Sequence, residues 1–132
     1  MKRFLSDTHA LLWFAGGQTR RLGPRARRAF AALGVATEIA VSVVTLWEVA
    51  LLYDSGHIAL PQGFSAWCDA LESQPGFRIE PLLRGDVEEA RAMRVLQDPH
   101  DRLIAGRAAR LGVPLITADA RIAEEGRITT VW

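Results

Sequence analysis

Four acids in this 132-residue chain are hard to explain as surface charge: Asp7, Glu48, Asp101 and Asp119. Glu48 is the most informative. It is the only charge between Ile39 and Tyr53, and Val43, Val44, Leu46, Trp47, Val49, Leu51 and Leu52 make its surroundings apolar on every side. A helix that is apolar all round is normally buried. A carboxylate inside it needs a partner, a cation or a shifted pKa, because burying it alone costs several kcal/mol. The plainer readings are a helix edge that reaches solvent, or an ion pair with one of the many arginines.

Asp7 follows the short apolar run Arg3-Phe4-Leu5-Ser6, and Asp119 follows Val113 to Thr117 in the same way. Both suit helix N-caps. Both also fall at the carboxyl end of an expected strand, where open parallel sheets bind their ligands. In Asp98-Pro99-His100-Asp101, Asp98 and Pro99 read as a cap followed by the first helical residue. Asp101 suits the helix dipole, yet it heads the stripe Ile104, Ala105 and Ala108 that this helix would bury. Carboxylates gathered in one place would repel by roughly 4 kcal/mol per close pair at an effective dielectric near 20. A divalent cation removes that penalty. Oxygen ligands without Cys or His partners select Mg²⁺ or Mn²⁺, and such a site suits phosphodiester hydrolysis by a metal-activated water.

These acids depend on alternating elements for their placement. Apolar runs at residues 3–6, 38–41, 77–82, 113–117 and 128–132 read as strands. Between them, helices are expected over 7–15, from Gly23-Pro24 onward, from the Ser42 cap through Tyr53, and over 64–72, 86–96, 98–111 and 119–125. About a dozen residues or more separate successive strands, as parallel β-α-β crossovers require. The expectation is a parallel-sheet α/β sandwich with helices on both faces, forming one domain over residues 1–132.

Composition narrows the function classes. Sixteen Lys+Arg against fifteen Asp+Glu give a formal charge of +1, which excludes a binder of nucleic acid that works by bulk charge alone. The single cysteine, Cys68, excludes an internal disulfide or a multi-cysteine zinc site. The apolar stretch around Glu48 is too short to span a bilayer, and Asp7 interrupts any leader-like run. The expectation is a cytoplasmic protein with no membrane association.

The chain also resembles a known family. Asp7-Thr8-His9-Ala10-Leu11-Leu12-Trp13, Ser42 through Leu46-Trp47-Glu48-Val49-Ala50, Asp98-Pro99-His100-Asp101-Arg102-Leu103-Ile104-Ala105 and Leu115-Ile116-Thr117-Ala118-Asp119 resemble the PIN-domain ribonucleases, with the VapC-type toxins of toxin–antitoxin pairs as the nearest branch. The resemblance implies a three-layer α/β/α sandwich on a mainly parallel sheet. It also implies Mg²⁺- or Mn²⁺-dependent endonucleolytic cleavage of RNA by an activated water, without a covalent intermediate. Asp7, Glu48 and Asp101 would be the metal-binding acids, and Asp119 would be the fourth, acting through water. Thr117 would orient a carboxylate or water, and Ser42 and Thr8 would steady the acids. Asp98 would be a helix cap rather than a ligand. His100 departs from the family, where a phenylalanine is expected. A homodimer and a small antitoxin partner are further implications.

Arg20, Arg21, Arg25, Arg27 and Arg28 cluster in sequence, either as a solvated helix face or as contacts to RNA or to an acidic antitoxin segment. Of these, Arg20, Arg21, Arg25 and Arg28, with His100, are the candidate contacts. Trp13, Trp47 and Trp67 read as core, although an apolar groove for an antitoxin helix would use the same residues. The rival to an enzyme is a catalytically inactive PIN-like RNA-binding or regulatory module whose acids serve only as caps. A phosphate-accepting receiver domain fits poorly, because Lys2 is the only lysine.

Overall fold

The computed structural model describes residues 1–132. Its strands are β1 (Lys2–Ser6), β2 (Thr37–Ser42), β3 (Phe77–Glu80), β4 (Leu115–Ile116) and β5 (Thr130–Val131). The helices are α1 (Thr8–Ala15), α2 (Pro24–Ala31), α3 (Val43–Asp54), α4 (Phe64–Ser73), α5 (Arg84–Ala92), α6 (Pro99–Leu111) and α7 (Ala120–Glu124), with a 3₁₀ turn at Thr19–Arg21. All strands pair in parallel, in the order β3-β2-β1-β4-β5.

Strand alternation divides the core in two. Ile39 and Val41 of β2, with Ile116 of β4, face α1, α2 and α4, where they pack against Leu11, Phe30 and Leu71. Leu5, Ala40 and Leu115 point the other way, onto Val44 of α3, Ile104 and Ala108 of α6 and Ile122 of α7. Side chains two apart share a face, so five short strands support helices on both sides. The result is the expected three-layer α/β/α sandwich.

The strand order places the site. From β1 the chain steps outward through β2 to β3, then returns to the other side of β1 for β4 and β5. The reversal opens a crevice between the carboxyl ends of β1 and β4, the usual ligand position in such sheets. The Asp7 N–H donates to the Ile116 carbonyl there, at 3.0 Å.

Three expectations need correction. First, α5 does not run from Asp86 to Leu96: it starts at Arg84 and stops at Ala92. The Arg102 guanidinium donates to the carbonyls of Ala90 (2.9 Å) and Arg91 (3.1 Å), satisfying groups that a longer helix would have used. Met93 and Leu96 then leave the helix and are buried against the sheet. Second, β4 and β5 are two residues each, shorter than their apolar runs. Third, α3 is not buried all round. Val43, Trp47 and Leu51, four residues apart, form a stripe 40%, 57% and 41% exposed, so Trp47 is not core. No helix is long and apolar enough to cross a membrane.

Candidate metal centre

Asp7, Asp101, Thr117 and Asp119 line one cleft of about 320 Å³, with Trp13 and Trp132 among its walls. It lies at the crevice between β1 and β4. Acids separated by more than a hundred positions in sequence therefore meet because of the strand order.

Asp7 serves two purposes at once. Its Oδ1 accepts from the Ala10 N–H at 2.9 Å, capping α1. The same carboxylate takes a hydrogen bond from Thr117, and burial pushes its pKa above the usual range, with the Thr117 and Ala10 bonds opposing the rise. Thr117 also accepts from the Asp119 N–H at 3.1 Å, so one hydroxyl links the two acids. Asp119 caps α7 through the Arg121 N–H (3.0 Å) and is gripped by the Arg121 guanidinium at 3.0 and 2.8 Å. That pairing holds its pKa below the ordinary value. In Asp7 the cap engages only Oδ1, whereas in Asp119 both carboxylate oxygens are engaged by Arg121.

Asp101, in the first turn of α6, is the strained acid. Its pKa is pushed up to about 6, first by burial and then by the charges of Asp98, Glu48, Asp7 and Asp119. Every contribution acts in the same direction. Five carboxylates thus share one electrostatic neighbourhood, in which a divalent ion would be the natural counter-charge.

Glu48 is neither in open solvent nor paired with arginine. Its Oε1 accepts from the Thr8 hydroxyl at 2.6 Å, and its Oε2 lies 3.8 Å from His100 Nδ1. The Thr8 and Thr45 hydroxyls are 3.1 Å apart. Thr8 therefore contacts the acid as expected, whereas Ser42 does not. Ser42 Oγ accepts from the Val44 N–H at 3.0 Å and so starts the helix that carries Glu48. Glu48 does not line the Asp7–Asp101–Asp119 cleft. It sits beside the cleft, close enough for its charge to be felt at Asp101.

Asp98 caps α6 by accepting from the N–H groups of His100 (2.9 Å) and Asp101 (3.0 Å). The arginines do not gather on one surface. Arg21 stacks over Trp13 at 4.5 Å, on the acid side. Arg25 and Arg28 border a separate depression with Lys2 and Arg3, and the Arg25 N–H donates to the carbonyl of Trp132, a wall of the acid cleft, at 3.2 Å. Arg20 is exposed.

One buried charge cluster escaped the sequence reading. Arg107 Nη2 lies 2.7 Å from Glu80 Oε2, and Nη1 lies 3.5 Å from Asp86 Oδ1. Asp86 is fully buried and also accepts from the Leu83 N–H at 2.9 Å. The trio fastens α6 and α5 to the end of β3. Its signal was present in the sequence, since Arg107 stands three residues after Ile104, a charge beside the buried stripe.

Comparison with known proteins agrees with this architecture. VapBC2 of Rickettsia felis, bound to a fragment of promoter DNA, matches with a TM-score of 0.69 at 15% identity, over 98% of this chain and 97% of that one. FitAcB of Neisseria gonorrhoeae gives 0.69 at 17%, over 98% and 96%. VapC20 of Mycobacterium tuberculosis, described as a sarcin–ricin loop cleaving toxin, gives 0.60 at 19%, over 93% and 95%. At these identities the likeness speaks for the fold. No curated protein sequence matches the chain. The sequence model of the PIN domain matches residues 4–127, nearly the whole length, and the chain belongs to the PIN domain family.

Proposed function

We propose that this protein is a divalent-metal-dependent endoribonuclease of the VapC toxin kind, restrained by a cognate antitoxin. The observation that carries this reading is the convergence of Asp7, Asp101 and Asp119 on one cleft at the sheet's switch point, with Asp101 pushed up to about 6. A carboxyl raised by burial and by neighbouring acids is poised to exchange its proton for a metal ion.

The donor set fits Mg²⁺ or Mn²⁺. Asp7, Glu48, Asp101 and Asp119 offer carboxylate oxygens, which hard cations prefer. When bound, such an ion activates a water and neutralises charge on a scissile phosphate. The protein's own part is orientation. Thr117 fixes Asp7 and the Asp119 backbone, Thr8 fixes Glu48, and Arg121 engages both Asp119 oxygens, so Asp119 would meet an ion through water. Arg20 and Arg21 would meet RNA or antitoxin on the acid side. Arg25 and Arg28 border a separate depression and would meet a partner that extends beyond the acid cleft.

Partners follow from the surface. Neighbours of this fold include VapBC complexes from Rickettsia felis and Salmonella typhimurium. Here a groove of about 680 Å³, with Leu12, Trp13, Leu52, Ile58, Leu60 and Trp67 in its walls, would seat an apolar antitoxin helix. The exposed Val43-Trp47-Leu51 stripe would be covered by a second copy of the chain. An RNA substrate places the work in the cytoplasm.

The deciding experiment uses purified protein with Mg²⁺ and RNA. Wild type should cleave, and Asp7→Asn and Asp101→Asn should fall to background while retaining native circular dichroism. Cleavage retained by Asp101→Asn would overturn the reading. An inactive binding module would instead show RNA association and no acid-dependent Mn²⁺ uptake by calorimetry.

A further inference from the structure

Four cations stand around one depression with almost nothing to neutralise them. Lys2, Arg3, Arg25 and Arg28 line a cavity of about 700 Å³ to which no acid contributes. Of the four, only Arg3 reaches a carboxylate, that of Glu38 at 3.9 Å. The helix does not account for its arginines either. Arg25 and Arg28 lie three positions apart on one face of α2, where like charges repel. Arg25 also falls in the first turn, where the helix dipole disfavours a cation. Arg27 of the same helix differs, because its guanidinium donates to the Leu22 carbonyl at 3.0 Å and so has a structural task.

A buried hydroxyl belongs to the same cavity. Thr37, the first residue of β2, is only 3% exposed and lines the depression. Its N–H donates to the Ala32 carbonyl at 3.1 Å, and its carbonyl accepts from the Gly34 N–H at 2.9 Å. Its hydroxyl takes part in none of the side-chain hydrogen bonds of the chain, yet it is not sealed from the cavity. Buried hydroxyls are ordinarily hydrogen-bonded. Guanidinium, ammonium and hydroxyl groups together are the donors that contact phosphate oxygens.

We propose that Lys2, Arg3, Arg25, Arg28 and Thr37 form a binding surface for the phosphodiester backbone of an RNA strand, separate from the acid cleft. The choice of RNA rests on the nuclease reading, and the placement of the depression agrees with it. Val131 lines the depression, and the next residue, Trp132, walls the acid cleft. The Arg25 N–H donates to the Trp132 carbonyl, so the two cavities share the end of β5. A strand with one phosphate at the cleft carries another negative charge at every nucleotide on either side. Arginine forks match phosphate oxygens in two-point contacts. An acidic peptide would need consecutive carboxylates to reach the same charge density. Backbone contacts carry no sequence information, so this surface sets affinity and register rather than base choice.

Because such contacts are blind to sequence, the probe is a short fluorescein-labelled single-stranded RNA of random sequence. Its binding to the full-length protein is followed by anisotropy over a series of salt concentrations, in EDTA so that metal-dependent cleavage is stopped. Glutamine is a helix former much like arginine, so the double variant Arg25→Gln, Arg28→Gln keeps α2. It should bind at least about tenfold more weakly at low salt, and its slope of log K against log salt should flatten by about 1.4, or about 0.7 per lost phosphate contact. Thr37→Val should weaken binding about threefold with the slope unchanged, and equal affinity would strike Thr37 from the surface. An affinity within about twofold of wild type and an unchanged slope in the double variant overturn the proposal. So does binding of a poly-glutamate peptide that depends on Arg25 and Arg28 and is tighter than that of RNA, which would assign the depression to an acidic protein segment. A separate Mg²⁺-dependent cleavage assay with wild type and Asp101→Asn reports on the nuclease reading. RNA binding that depends on Arg25 and Arg28 in a protein that cleaves nothing would uphold this surface and defeat that reading. Cleavage lost in Asp101→Asn, beside a slope that the arginines do not change, would do the reverse.

Discussion

The Thr8 hydroxyl donates to Glu48 Oε1 at 2.6 Å, joining the residue after Asp7 to the middle of α3 across forty positions of sequence. Two acids far apart in the chain are thereby set by neighbouring residues of a single turn. Thr8→Val should leave Glu48 without its donor. Removing a hydrogen bond to a charged group costs about 1.5–3 kcal/mol, and apparent Mn²⁺ affinity should fall about tenfold. Thr8→Ser should recover both. Chemical denaturation and calorimetry on the two variants check this.

Asp101 should behave oppositely to a structural acid. Because burial and four neighbouring carboxylates disfavour its charge, Asp101→Asn should raise the melting temperature of metal-free protein at pH 8. The same variant should lose the stabilisation that Mn²⁺ gives wild type. Thermal melts in EDTA and in excess Mn²⁺ separate the two effects, and a lower melting point in EDTA would count against a strained acid.

The pH dependence follows from the same residue. An Asp whose folded pKa is about 6, raised from 3.8, favours the folded state most below pH 3.8. That contribution is lost as pH rises through 6. Metal binding has the reverse trend, because the ion competes with the proton. Apparent Mn²⁺ affinity should drop about tenfold per unit below pH 6 and level off above it. Titrations at pH 5, 6, 7 and 8 provide the measurement, and a flat profile would remove Asp101 from the ligand set.

Arg107 and Arg84 make a contrasting pair. Arg107→Ala leaves Glu80 and the fully buried Asp86 uncompensated, and breaking a buried pair in this way costs about 3–5 kcal/mol. Arg84→Ala breaks only an exposed bond to Glu88 and should change stability by no more than about 0.5 kcal/mol. Urea denaturation of both variants gives the comparison.

If the stripe of α3 is covered by a second copy, Trp47→Asp should convert a dimer to a monomer in sedimentation equilibrium while leaving the fold intact. Its 57% exposure means that the folded monomer loses little packing from the change. A wild type that sediments as a monomer would remove the dimer from the proposal.

The sequence by itself determined the alternation of elements, the helix starts at Asp7, Ser42, Asp98 and Asp119, and the identity of the unusual acids. These are local matters: a cap, a proline or a glycine acts within a few residues, and apolar spacing records which face is buried. It could not determine that β4 returns to the far side of β1, which brings Asp119 to Asp7, because nothing local encodes strand order. Nor could it end α5 at Ala92, a decision made by Arg102 from the next helix. The exposed face of α3 and the His100 imidazole between Glu48 and Asp98 also arise only when distant elements pack. A residue's type fixes what chemistry it offers, and tertiary structure alone decides which partners stand within a few ångströms of it.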